Sequence, residues 1–312
     1  MCCVVGKTEV DFPITRLASG RLGDDRHVLL YGNTIVKPPS PPKPVMRTQP
    51  SGSLNLNDWV ADQFGGLNVG GAMWIQVPAR PGSVKLVRSA EGGKKLLEDL
   101  TKIWEPPVSK GVIMGDFMSR APAFTVQDYN DVYTVALVND LSALDQALAE
   151  IARLHPRRVP AIDSSHVDLF QRGYPAGEWT HLICGFDPDE VEQEKLAAPI
   201  IVTYDPSAPS FLYLPMLDQH KPDQLPQLEG KVDRAHLNSC FVHGMQSGQD
   251  VASSVSNMRS LGNDLYQIMV SARKVLGGSF YGQHPQGDMW VSISDLVKGR
   301  FTPKFLLPPG LR

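Results

Sequence analysis

Gly70-Gly71-Ala72-Met73-Trp74-Ile75-Gln76-Val77-Pro78 is an apolar run entered through two glycines and closed by a proline. Its length and its Gly and Pro punctuation predict a strand. Ser83-Val84-Lys85-Leu86-Val87, just downstream, alternates with period two and predicts another. Upstream, Ile14 to Ala18 and His27 to Tyr31 flank Gly20-Arg21-Leu22-Gly23-Asp24-Asp25, whose turn chemistry predicts a hairpin beside the N-terminal strand. That arrangement puts Arg16 on a strand next to Cys2.

Further strands are expected over 131–138, 179–186, 199–204, 210–214 and 289–293. Helical spacing of Leu96, Leu97, Leu100 and Ile103 predicts a helix over 94–104, ended by Glu105-Pro106-Pro107. A second is expected over 142–154, with Ser142 as N-cap and Leu144, Leu148 and Ile151 along one face. Asp187-Pro188-Asp189-Glu190 has the chemistry of a helix start, so a short helix through Lys195 follows. Leu261, Leu265, Ile268 and Met269 predict a helix over 254–276, stopped by Gly277-Gly278. These elements describe one large α+β domain spanning 1–312, with mixed, mostly antiparallel sheets packed with a few helices and room for αββα layering. A Pro-rich surface segment at 37–53 and a helical C-terminal part at about 250–278 complete it.

Of the 312 residues, 42 % are hydrophobic and 20 % charged, which fits a folded protein able to bury a core. The longest apolar runs, such as Val135 to Val138 and Phe211 to Leu214, fall far short of the roughly 20 residues of a spanning helix. No membrane is expected, and Lys7, Glu9 and Asp11 interrupt any secretory core, so the expected compartment is the cytoplasm. A formal net charge of −3 with mixed signs provides no basic footprint for nucleic acid. Four cysteines, at 2, 3, 184 and 240, form no dense disulfide framework and are expected reduced. No motif fixes the oligomeric state.

Lys37-Pro38-Pro39-Ser40-Pro41-Pro42-Lys43-Pro44 cannot join a sheet or a helix, because repeated proline removes donors and favours polyproline II. It is a candidate ligand for a partner protein. Half of the cysteines, meanwhile, open the chain as Met1-Cys2-Cys3-Val4-Val5. If Met1 is removed, Cys2 carries a thiol with a pKa of about 8.5 and an α-amine of about 8, a self-contained nucleophile and base. The competing interpretation is that Cys2 and Cys3 begin a buried strand. Ala235-His236-Leu237-Asn238-Ser239-Cys240-Phe241-Val242-His243 is the densest His/Cys grouping, and its pattern fits either a strand or a helix.

The opening Met-Cys, the apolar strand and Arg16 resemble the choloylglycine-hydrolase type of N-terminal-nucleophile amidase, with Cys3 in place of the usual small residue. The resemblance implies a hydrolase of a small amide substrate with Cys2 as nucleophile; Arg16 would orient the substrate, and His236 is the distant candidate partner. Met1-Cys2-Cys3, Thr15-Arg16-Leu17, residues 72–78, Leu212-Tyr213-Leu214-Pro215, His220 and His236 together resemble an uncharacterised bacterial family of cytosolic proteins opening with Met-Cys-Cys. That likeness implies that Cys2, Cys3, His220 and His236 belong together. Such a hydrolase needs no cofactor. The alternative is a transition-metal protein or metalloenzyme holding Zn or Cu through Cys3, His220, Cys240 and His243, since thiolates and imidazoles suit those ions. A third function class is a non-catalytic interaction protein using the Pro-rich segment. Gly65 to Gly71 lacks the Lys-Ser/Thr of a phosphate loop, and Gly244 to Gly248 lacks nucleophile-elbow spacing.

Overall fold

The computed structural model describes residues 3–6, 11–22, 26–36, 70–87, 90–102, 123–129, 132–191, 197–217, 228, 231–233, 236–242, 249–250, 274–280 and 283–311. The opening run forms strand β4 (Gly71–Val77), and all seven of its residues are buried. It sits in a five-stranded antiparallel sheet of order β1-β4-β8-β7-β6, with β1 at Cys3–Gly6, β8 at Thr180–Phe186, β7 at Tyr133–Val138 and β6 at Phe124–Tyr129. A seven-stranded sheet runs β13-β14-β12-β2-β3-β9-β5. Its strands are β13 (Gln249–Asp250), β14 (Lys274–Phe280), β12 (His236–Val242), β2 (Asp11–Leu22), β3 (Arg26–Val36), β9 (Ile200–Tyr204) and β5 (Lys85–Leu86). Within it β2 and β12 run parallel, and the remaining pairs are antiparallel. A three-stranded sheet, β10 (Phe211–Leu214), β16 (Asp288–Ser292) and β17 (Lys304–Leu306), and the pair β11 (Lys231–Asp233) and β15 (Gln283–Pro285) complete the strands.

Because side chains alternate along a strand, each sheet offers two faces, and the two large sheets meet through one of them. Met73, Ile75, Val135, Leu182 and Cys184 of the first pack with Leu17, Leu29, Tyr31, Val202 and Cys240 of the second. The intervening residues Ala72, Trp74, Ala136, Val138 and Ile183 face the other way. They are covered by α2 (Leu144–Leu154) through Leu144, Ala147 and Ile151, and by α3 (Ser164–Gly173) through Leu169 and Phe170. The far face of the seven-stranded sheet carries α1 (Ala90–Lys102), whose Gly93 leaves room for the Ile201 side chain; a Cβ there would stand 2.6 Å from Ile201 Cδ1. The molecule is thus an α+β fold with αββα layers. Among the described residues no helix is long and apolar enough to cross a membrane.

Several local expectations change. Asp187 to Glu190 is a turn: Glu190 N–H donates to the Asp187 carbonyl at 3.0 Å and Asp189 N–H to Asp187 Oδ1 at 2.9 Å, so capping chemistry closes one turn and the chain goes no further as a helix up to Val191. Ser142 is not the cap before α2; Asp140 accepts from Ser142 N–H at 2.9 Å and starts a short 3-10 turn over Leu141–Ala143. Lys274 to Gly278 lies in β14, with Gly277 and Gly278 inside the strand, while 251–273 lies outside the described residues. Ile293 leaves the expected strand to begin α4 (Ile293–Val297). β6 and α3 were not anticipated; α3 starts at Asp163, whose carboxylate caps Ser165 N–H at 2.7 Å.

Gly185 in β8 lies against the Arg158 backbone, and a Cβ there would run into the Arg158 carbonyl oxygen. Because backbone cannot yield as a side chain tip can, Gly185→Ala should lower the unfolding free energy by about 1–3 kcal/mol, measured from the denaturation midpoint at unchanged m-value.

Candidate functional site

The strand pairing decides where the anticipated residues stand. β1 pairs antiparallel with β4, with Cys3 opposite Trp74, and lies at the edge of the five-stranded sheet. Arg16 stands in the other sheet, opposite Gly32 of β3 and Leu237 of β12. The expectation that β2 is the neighbour of the N-terminal strand is therefore corrected: β4 takes that place, because its apolar run supplies the centre of a separate sheet. His236 begins β12, so the His/Cys grouping is a strand, and it sits opposite Thr15. Thr15 and Arg16 are consecutive, and consecutive strand positions alternate between faces. The rows of His236 and Arg16 are adjacent rather than shared. Cys2, His220 and His243 lie outside the described residues.

Cys240 stands opposite Ser19 and is fully buried between the sheets. Burial pushes its thiol pKa far up, which keeps the sulfur protonated in the absence of a bound cation. Close by, burial likewise raises the Tyr204 phenol. His27 meets the Tyr204 ring edge-on at 5.7 Å. Burial, helped by the Arg21 charge, lowers the His27 pKa to about 4, so the imidazole is neutral near pH 7. Among the described residues no three His, Cys, Asp or Glu side chains converge as metal donors.

Two polar groupings were not anticipated. The first threads the layer beneath α3. Trp74 Nε1–H donates to His181 Nδ1 at 3.1 Å, and the other ring nitrogen of His181 is engaged by the Tyr174 carbonyl. Tyr174 in turn donates its hydroxyl to Asp288 Oδ2 at 2.8 Å, while Met216 and Leu217 N–H donate to Asp288 Oδ1 at 2.9 and 3.0 Å. Burial lowers the His181 pKa to about 4 and raises that of Asp288, with the hydrogen bonds to Asp288 pulling the other way. Every one of these contacts to Asp288 is a donor, so the arrangement suits the ionised carboxylate. The only sequence trace of this site is an acid at the head of the apolar run Met289-Trp290-Val291.

The second grouping is a charged clamp at one end of the five-stranded sheet. Arg158, buried by the turn Pro156–Arg158, places Nε and Nη2 on Glu190 Oε2 at 2.9 and 2.7 Å. Arg157 holds Asp187 at 2.9 Å and Asp189 at 2.7 Å. Thr134 Oγ1 and His155 Nε2 reach Asp128 Oδ1 at 2.9 and 3.0 Å. Burial alone would raise the Asp128 pKa, but the Thr134 and His155 hydrogen bonds and the nearby cations hold it below the ordinary carboxylate value. The clamp fastens the 187–190 turn to the end of α2, where its acids meet arginines; residues 192–195 of the expected helix lie outside the described residues.

No protein-family profile matches the chain, and no curated protein matches it. Among solved structures it is similar to the crystal structure of baculovirus P35, at 13 % identity and a TM-score of 0.39, covering 79 % of this chain and 68 % of that one. A mutated baculovirus P35 after caspase cleavage gives 14 % identity and 0.35 over 77 % and 70 % of the two chains. The caspase-8/P35 complex gives 11 % and 0.34 over 75 % and 64 %.

The buried imidazoles set a pH response. His27 and His181 have folded pKa values of about 4 against 6.5 for the ordinary group. Above pH 6.5 both states leave them neutral; between 6.5 and 4 the unfolded chain binds protons that the folded chain refuses. The stability they support is full above pH 6.5 and is lost as pH falls towards 4, on the order of 3 kcal/mol per imidazole. Asp288, raised by burial, acts oppositely, losing stability as pH rises through its folded pKa. Comparing wild type with His181→Gln at each pH therefore isolates one imidazole: the wild-type advantage measured by urea unfolding at pH 7 should shrink at pH 5.

Proposed function

We propose that the chain is a non-catalytic interaction protein that offers its Pro-rich segment, residues 37–53, to a partner with an aromatic-lined groove. What supports this reading is the segment's composition together with its place between two core strands. Residues 37–53 lie outside the described residues, as do 54–69; β3 before them and β4 after them are described. β3, with every residue from His27 to Ile35 buried, belongs to the seven-stranded sheet; β4, buried throughout, belongs to the five-stranded sheet. Residues 37–69 connect these two strands of different sheets, and recognition segments are favoured on connections between core elements. Proline-rich sequence adds a preformed polyproline II tendency, which lowers the ordering cost of being bound.

The thiol-hydrolase reading rests on Cys2 followed by a paired strand, β1. Its other candidates, Arg16 and His236, stand on the neighbouring strands β2 and β12 of the other sheet. The Zn or Cu reading draws on Cys3 of β1 and Cys240 of β12, which stand in different sheets.

Three proteins separate these readings: wild type, a variant with residues 37–50 replaced by a Gly-Ser stretch of equal length, and Cys2→Ser. Against a panel of purified SH3 and WW domains, wild type and Cys2→Ser should bind at least one member equally, and the replacement should lose at least about tenfold in affinity with an unchanged melting temperature. Equal binding by the replacement, or none by wild type, overturns the reading. Turnover of an N-acyl amide that Cys2→Ser abolishes, with Met1 absent by intact mass, would establish the hydrolase instead.

A further inference from the structure

The three-stranded sheet turns Leu212, Leu214, Met289 and Val291 into the core between the large sheets. Its other face is only partly covered. Residues directly opposite on paired strands share a face, as do residues two apart along a strand. Trp290 stands opposite both Tyr213 and Lys304, Phe211 opposite Ser292, and Leu306 opposite Asp288. Phe211, Trp290 and Leu306 therefore share that other face, each one strand over and two residues along from the last. Diagonal neighbours of this kind are about 7–8 Å apart.

Phe211 is 40 % exposed and Leu306 38 %, and Trp290 between them is partly exposed. The Phe211 and Trp290 rings meet edge to face with centroids 6.4 Å apart. Tyr213 at 4.9 Å and Trp179 at 6.1 Å, both buried, hold Trp290 in place. Such a row presents aromatic rings on a rigid support, which is the surface that proline-rich peptides pack against.

The chain itself carries the complementary element. Lys37-Pro38-Pro39-Ser40-Pro41-Pro42-Lys43-Pro44 repeats with a period of three. A polyproline II helix has three residues per turn and a rise of about 3.1 Å, so one ridge carries Pro38, Pro41 and Pro44 at steps of about 9 Å. Pro39 and Pro42 form a second ridge, and the non-proline residues Lys37, Ser40 and Lys43 all fall on the third. The two apolar ridges match the diagonal row step for step, and the lysine edge stays in water.

Reach assigns the tract to another molecule. The His27 imidazole donates to the Pro209 carbonyl, which places the Phe211 end of β10 beside the start of β3. The tract begins at the far end of β3, after Val36, nine residues and about 30 Å along the strand. As polyproline II its eight residues span about 25 Å, so they are used up in crossing that distance and cannot also lie on the row of their own chain.

We infer that the diagonal row of Phe211, Trp290 and Leu306 is the docking site for the proline tract 37–44 of a second copy of this chain, bound as a polyproline II helix. The inference rests on the reading of residues 37–53 as a recognition segment and names its partner. Two copies related by a two-fold axis each give one tract and receive one.

The test uses the full chain, the tract as a synthetic octapeptide, and a peptide of the same composition, Lys-Pro-Pro-Pro-Ser-Lys-Pro-Pro, in which all three ridges are interrupted. The tract peptide should shift the Trp290 indole N–H resonance of dilute wild type. Binding should fall at least about fivefold with the interrupted peptide, and equally with Phe211→Ser, whose melting temperature should change little. In sedimentation, wild type should associate as its concentration rises. Phe211→Ser and the Gly-Ser replacement of 37–50 should each associate at least about tenfold more weakly, yet more strongly mixed than either does alone, because one keeps the tract and the other the row. Equal binding of the two peptides, full binding by Phe211→Ser, or a wild-type chain that stays monomeric would overturn the proposal. A tract-dependent Trp290 shift already complete at the lowest concentration would place the tract on its own chain and overturn it as well. If SH3 or WW domains bind residues 37–53 of a chain that stays monomeric, this inference fails alone; if neither domains nor a second copy bind, both readings fail.

Discussion

Burial of β4 on both faces is the constraint from which the rest follows. A strand with no wet side needs one layer over Met73 and Ile75 and another over Ala72 and Trp74. The first is the seven-stranded sheet and the second is the helix pair α2 and α3. Closing both layers excludes water from any polar group on the central strands, and each such group must then find a partner inside. Gln76 donates to the Trp74 carbonyl at 3.4 Å, Trp74 donates to His181, and Thr180 donates to Asn139 at 2.8 Å.

That requirement explains the polar connection that runs from β4 to the three-stranded sheet. From Trp74 through His181 and Tyr174 to Asp288, and on to the amides of Met216 and Leu217, each group donates to or accepts from the next. The connection joins β4 and β8 to the end of α3 and to the three-stranded sheet. A single uncharged replacement in it would leave a buried donor or acceptor unmatched, costing about 1–3 kcal/mol. His181 is a fixed neutral tautomer in this setting, with its Nδ1 lone pair facing the indole N–H. Its chemistry is that of a core acceptor.

The charged clamp and the β6 edge lie where the layers end. Arg157 and Arg158 carry charge into the end of the sheet only because Asp187, Asp189 and Glu190 meet them. Glycine is needed at 70 and 185 because the Arg158 backbone passes over both positions too closely for a Cβ. At the other side of the sheet, the same layering leaves Phe124, Val126 and Leu148 only partly covered, since α2 packs on β6 and β7 and no further strand follows among the described residues.

The strands around residues 14–31, 71–77, 133–138, 180–186, 200–204 and 211–214 were legible in the sequence, because apolar runs bounded by Gly, Pro and Asp encode local extended structure regardless of what covers them. Helices α1 and α2 were legible from their apolar spacing, and so was the α+β class. β6 was missed because Phe124-Thr125-Val126-Gln127-Asp128-Tyr129 is half polar, as suits an edge, and α3 because its cap at Asp163 introduces a mixed run. Asp187 to Glu190 carried the chemistry of a helix start, but the arginines across the fold claimed its acids. Placement of the anticipated site residues was beyond local sequence altogether. Which sheet receives β1, which row holds Arg16 or His236, and whether the Cys240 thiol meets solvent or core depend on pairing between strands far apart in the chain. Sequence by itself determined the apolar strands and helices bounded by Gly, Pro and Asp; only tertiary structure decided their partners and the half-polar elements, because strand pairing and desolvation are set by the whole layered core rather than by any one segment.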